Sequence, residues 1–96
     1  MVKFGVEKKP FDILKELSKK HRVLRKQAGL TQSELAKRSG VSLGSIKRFE
    51  LTGQISLESL LKSVQILNRL SDFELILNSD NNLKNIEKLF SDRTKI

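Results

Sequence analysis

The sequence predicts an all-α protein, a compact bundle of about five helices with a short extra C-terminal segment. Three observations predict it. Leu57, Leu60, Leu61, Val64 and Leu67 stand at i, i+3, i+4, i+7 and i+10, the spacing of one helical face. Thr31-Gln32-Ser33-Glu34 has the form of a capping box, and Ser39-Gly40-Val41-Ser42 follows it as a tight turn that carries a second cap. The composition agrees: 38% hydrophobic residues, no Trp, no Tyr and one proline, Pro10, outside the helical patterns. Ninety-six residues make one small domain and not two, with a core only marginally adequate alone, so oligomerisation would help.

Residues 1–10 have mixed charges, no clear period and no strong cap, and are expected to be a flexible basic arm. Pro10 suits the start of the first helix. From Phe11 to about Ala28, Leu14, Leu17, Leu24 and Ala28 define one face, interrupted by His21. No Asp, Cys or second His stands at helical spacing from His21, so it is expected to be a partly buried packing residue without chemistry.

The second helix starts at Thr31, where the hydroxyl accepts from the Glu34 backbone and the Glu34 carboxylate reaches back; Leu35 and Ala36 are its apolar residues. Gly40 supplies the left-handed conformation that ends it. Ser42 caps the third helix, which turns Leu43, Ile46 and Phe49 to one face and Ser45, Lys47 and Arg48 to the other. Thr52-Gly53 breaks the chain and Ser56 caps the fourth helix. Residues 72–77, including Phe73-Glu74-Leu75-Ile76-Leu77, are apolar enough for a short fifth helix or a dimer-forming strand, and periodicity does not choose between them. Residues 78–82 form a loop by composition, and Leu83, Ile86, Leu89 and Phe90 make the last segment amphipathic, able to meet a second copy, a partner or the chain's own body.

The charge is segregated. Residues 1–50 hold 13 Lys and Arg against 5 Asp and Glu, whereas residues 51–96 hold 6 against 6, so the whole formal charge of +8 lies in the half with the two short capped helices. Phosphate neutralisation needs cations on one surface, and this distribution points to nucleic acid. Lys3, Lys8 and Lys9 would track phosphates if the arm lay along a duplex. The absence of cysteine excludes disulfides, thiolate metal sites and Cys nucleophiles, and one histidine is too few for a metal centre. No signal-type apolar run opens the chain and no stretch approaches the ~18 to 20 apolar residues of a membrane span, so a soluble, cytoplasmic protein is expected. With no Gly-rich phosphate loop and no nucleophile beside a base, neither an enzyme nor a cofactor is expected.

The pattern TQxELAxxxGVSxxxIxxFE in residues 31–50 resembles the helix-turn-helix signature of the Cro and phage-repressor (Xre-like) family. Residues 42–62, SLGSIKRFELTGQISLESLLK, are similar to the HipB-type antitoxins that partner HipA-like kinase toxins. The likeness runs from Leu17 to Leu70 and implies a lambda-repressor-like DNA-binding domain over 11–77, with 78–96 as a tail. It also implies an inverted-repeat operator in double-stranded DNA, met by a homodimer whose half-sites lie ~34 Å apart. A phage or mobile-element repressor is the alternative, and a protein-binding adaptor the alternative of another class.

On that template the third helix enters the major groove. Leu43, Gly44 and Arg48 face bases, with Arg48 donating twice to guanine and Leu43 meeting a thymine methyl. Many relatives carry glutamine or another hydrogen-bonding side chain at the two early positions, so Leu43-Gly44 shifts weight towards shape readout. The resemblance gives Gln32 the bridge between a phosphate and the first contacted base, and Thr31, Ser42, Ser45 and Lys47 the holding of phosphates. It pairs Arg25 with Glu50 while the guanidinium approaches a phosphate.

Overall fold

The structure is a computed structural model that describes residues 7–79. Four α-helices follow one another, α1 (Pro10–Gln27), α2 (Gln32–Ser39), α3 (Leu43–Thr52) and α4 (Leu57–Ile66), then a 3₁₀ turn at Leu70–Phe73; no strand occurs among the described residues. The expected count of about five helices is thereby corrected to four and a 3₁₀ turn.

Local chemistry sets each boundary. α1 begins at Pro10: the Lys9 backbone N–H donates to Asp12 Oδ2 (2.9 Å) and proline needs no partner for the N–H it lacks. The capping box of α2 forms as written in the sequence: Glu34 N–H donates to Thr31 Oγ1 (3.0 Å) and Thr31 N–H to Glu34 Oε1 (2.8 Å). Ser42 and Ser56 cap α3 and α4, each accepting from the backbone N–H three residues on at 3.1 Å. Gly53 ends α3 with φ +85°, and a Cβ there would stand 3.0 Å from the Leu14 backbone, so this glycine permits both the turn and the close approach of α1.

The core has two clusters. Leu35, Val41, Ile46 and Leu67 pack under Leu24, Leu30, Ala36 and Ile66, and Phe49, Leu60 and Val64 pack with Leu17, Ile55, Leu70 and Phe73. α3 lies between them, giving Ile46 to one cluster and Phe49 to the other. Three residues of the expected apolar faces lie outside the core: Leu57 is 66% exposed, Leu14 39%, and Ala28 is exposed as well. Leu57 is the first residue of α4, and periodicity marks a helix face without marking how far along it a partner extends.

Residues 72–77 form no strand and no fifth α-helix: Asp72 and Phe73 close the 3₁₀ turn, and residues 74–77 follow as an irregular turn. The 3₁₀ turn ends at Phe73, a turn continues to Leu77 with φ +65°, and Leu75, Ile76 and Leu77 are exposed. Apolar composition marks hydrophobic side chains without marking what covers them, and a positive φ at Leu77 belongs to neither regular element. Lys3 of the arm and the amphipathic residues Leu83, Ile86, Leu89 and Phe90 lie outside the described residues. Among the described residues no helix is long and apolar enough to cross a membrane.

Candidate nucleic-acid interface

The C-terminal end of α3 is fixed by one carboxylate. Glu50 Oε2 accepts from Arg25 Nε (2.9 Å) and His21 Nδ1 (2.8 Å), and Oε1 accepts from Arg25 Nη2 (2.9 Å) and Gln32 Nε2 (3.0 Å). Both oxygens are therefore fully used, and the forked arginine contact is the strong, geometrically selective kind. Arg25 also donates through Nη1 to the Leu30 carbonyl (2.8 Å), which ties in the loop before α2. Burial pushes the Glu50 carboxyl up, but the Arg25 and Gln32 hydrogen bonds, the Arg25 charge and the His21 hydrogen bond outweigh it and hold the group below the usual range.

His21 extends the network to α4. Its Nε2 lies 2.6 Å from Ser63 Oγ, and its ring meets Phe49 edge to face at a centroid distance of 5.0 Å. Burial lowers its pKa against the raising effect of Glu50, with the Arg25 charge lowering it further, so the ring is neutral at pH 7. An ionised Glu50 can only accept, which assigns the proton to Nδ1 and makes Nε2 the acceptor of the Ser63 hydroxyl. His21 was expected to be packing alone. It is instead the joint between α1, α3 and α4, and no spacing rule reveals a partner 42 residues away in sequence.

The opposite side of α3 is solvent-facing. Ser42, Gly44, Lys47 and Arg48 are exposed, and Leu43 and Ser45 are half-buried. Ser42 accepts from Ser45 N–H and donates to Ser45 Oγ (2.8 Å), so the Ser45 hydroxyl proton is left to donate outward. Thr31 likewise spends its hydroxyl as an acceptor and keeps the O–H. Gly44 has no positive φ, and a Cβ built on it would meet nothing within 4 Å, so nothing in the fold requires glycine there. Arg48 donates from Nη2 to Gln54 Oε1 (2.7 Å). That contact depends on the Thr52-Gly53-Gln54 turn, in which Thr52 Oγ1 accepts from Gln54 N–H and donates to the Arg48 carbonyl (2.7 Å). Gln54 thus orients Arg48, a role that the sequence left unread.

Five of the expected site residues line two clefts, and Thr31, Ser42, Leu43 and Gly44 line neither. Arg25, Gln32 and Lys47 share one of about 380 Å³ with Arg22, Glu50 and Leu51, while Ser45 and Arg48 share another of about 310 Å³ with Gln54, Ile55, Ser56 and Ser59. Two assignments change in emphasis. Gln32 directs its amide N–H to Glu50, and Arg25 is 7% exposed with three of its five N–H groups committed, so both first serve to position α3. Among the described residues no cluster of three or more His, Cys, Asp or Glu stands ready for a metal.

Two short packed helices joined by a tight turn, the second anchored by its buried side and bare on its basic outer side, define a helix-turn-helix DNA-binding module. A helix-turn-helix family model, of the Cro and phage-repressor type, matches residues 22–74, and the chain belongs to that family. Its function is that of a DNA-binding regulator, and the family is not one of enzymes. Comparison with curated proteins gave no match, nor did comparison with solved structures.

Proposed function

We propose that the protein is a sequence-specific transcriptional repressor that binds an inverted-repeat operator as a homodimer, and that it is the antitoxin of a HipA-like kinase toxin, repressing its own operon in the cytoplasm. The observation that carries the repressor reading is Arg48: exposed on α3, held by Gln54, and retaining N–H groups for guanine O6 and N7. Thr31, Gln32, Ser42, Ser45 and Lys47 hold phosphates around it, Leu43 and Gly44 lie against the bases, and Arg25 offers a phosphate the two N–H groups that Glu50 and Leu30 leave uncommitted. Dimerisation is supported by scale, since one such module covers only about one major-groove segment of an operator. The antitoxin reading is supported by the likeness of residues 42–62 to HipB-type antitoxins and by exposed Leu75, Ile76 and Leu77, an apolar surface suited to a protein partner. Residues 1–10 and 78–96 serve as arm and tail.

Titration of the DNA upstream of the gene, against shuffled DNA and across salt concentration, tests the reading. A large specific excess that Arg48→Ala abolishes supports it; equal weak binding to both DNAs removes the repressor and leaves the adaptor. A kinase-like frame beside the gene whose product binds the protein supports the antitoxin. Divergent phage genes in its place support the phage repressor.

A further inference from the structure

The cleft lined by Arg22, Arg25, Gln32, Lys47, Glu50 and Leu51 joins three elements: α1, the first residue of α2, and α3. Three cations and one carboxylate face it. The carboxylate does not repel an incoming anion as a free one would, because each Glu50 oxygen already accepts two hydrogen bonds and Arg25 balances its charge at 2.9 Å. The uncompensated charges are those of Arg22 and Lys47, both exposed and neither in an ion pair or side-chain hydrogen bond among the described residues. Two like charges facing one cleft repel each other, and a single anion between them reverses that penalty.

We propose that Arg22 and Lys47 together clamp one backbone phosphate of the DNA in this cleft. The inference rests on the DNA-binding reading and deepens it by adding Arg22, a residue of α1, to the interface. A guanidinium offers a fork of N–H donors and an ammonium a compact charge, so the two suit different oxygens of one phosphodiester. The clamp also sets register. Lys47 precedes Arg48 by one residue, about 100° around the helix, and Arg48 lines the other cleft. A phosphate held on the Lys47 side fixes how far along the groove the Arg48 guanidinium meets a base edge. The Glu50 network lies under the clamp and ties α1 to α3, the two helices from which the cations project.

The test uses the full chain and a duplex carrying the site that the wild-type protein selects from random DNA. Each phosphate is replaced in turn by a neutral methylphosphonate, and binding is compared for wild type, for Arg22→Gln and Lys47→Gln together and singly, and for Lys19→Gln with Lys20→Gln. The last pair lines a separate cavity with Val23, Leu24, Arg69 and Asp72 and serves as the charge-matched control. One position per half-site should cost the wild type and the control at least several-fold in affinity, and should cost the Arg22/Lys47 double variant nothing further. Each single change must weaken the effect at the same position, and an Arg22→Gln pattern like wild type overturns the clamp. In the unmodified duplex the double change should lower the slope of log K against log salt by about one, since one phosphate is lost. A slope lower by about two would mean separate phosphates and overturn the clamp, as would a methylphosphonate pattern that the double change leaves unaltered. Matching melting curves exclude misfolding, because both side chains are exposed. If wild type itself shows no selected site, the DNA-binding reading fails; a selected site with an unaltered pattern fails the clamp alone.

Discussion

The two sides of α3 use the same kinds of side chain in opposite ways. On the inner side Glu50, His21, Arg25 and Gln32 satisfy one another so completely that no buried side-chain polar atom among the described residues is without a partner. On the outer side Lys47 has no partner among the described residues, Arg48 has one hydrogen bond, and Ser45 keeps a hydroxyl proton free. On the proposed function, the difference separates holding from reading. A helix that must enter a groove in one register gains from a rigid seat, whereas groups that must meet bases and phosphates gain from having nothing to give up first. Substitutions should therefore fall into two classes, one that unfolds the protein and one that leaves it folded and unable to bind.

The largest effect belongs to the inner side. Glu50→Ala leaves the Arg25 guanidinium buried without its counter-charge and should cost about 3 to 5 kcal/mol in urea unfolding, as removal of one partner of a buried pair does. Acid should act on the same network in two stages. The His21 pKa is lowered in the fold, so its contribution is complete above 6.5, the unfolded value, and is lost as pH falls below it. The Glu50 pKa is also lowered, so its contribution is complete above 4.5 and disappears as pH falls through the folded value. Unfolding free energy measured from pH 8 to pH 3 should thus decline first below 6.5 and again below 4.5, and His21→Gln should remove the first decline. Ser63→Ala, which leaves His21 Nε2 buried without a donor, should cost about 1 to 3 kcal/mol by thermal unfolding.

Outer-side changes should reverse this order. Arg48→Ala should alter stability by less than about 0.5 kcal/mol while lowering operator affinity by about 10- to 100-fold, read by anisotropy titration beside a melting curve. Gly44→Ala sharpens the contrast most. With open space around the position and helical backbone, alanine should stabilise the fold by up to about 1 kcal/mol. If glycine stands there so that DNA comes close to the α3 backbone, the same variant should melt higher and bind its operator more weakly. Unchanged binding would assign Gly44 no part in the interface.

Legibility in the sequence follows the same division. The caps at Thr31, Ser42 and Ser56 and the ends at Gly40 and Gly53 are local, each decided within a few residues, and all five form. The Arg25–Glu50 pair followed from family likeness and not from spacing. The links from His21 to Ser63, Gln32 to Glu50 and Arg48 to Gln54 were not legible, because polar side chains carry no periodicity and find partners only once the helices are docked. Leu57 and Leu75 to Leu77 show the converse: their hydrophobicity is legible, but what covers it is set by neighbours beyond their own segment. Nothing in the sequence distinguishes Arg22 from the other cations of α1, and only the fold sets it in one cleft with Lys47.

The most direct measurement is selection of binding sites from a random duplex pool by wild type and by Arg48→Ala, each shown to be folded. Wild type should enrich a two-fold symmetric site with half-sites about one turn, ~34 Å, apart, and Arg48→Ala should lose preference at one guanine per half-site while keeping the rest. Enrichment of no site by wild type, or of the same site by both proteins, would contradict a recognition helix that reads DNA through Arg48.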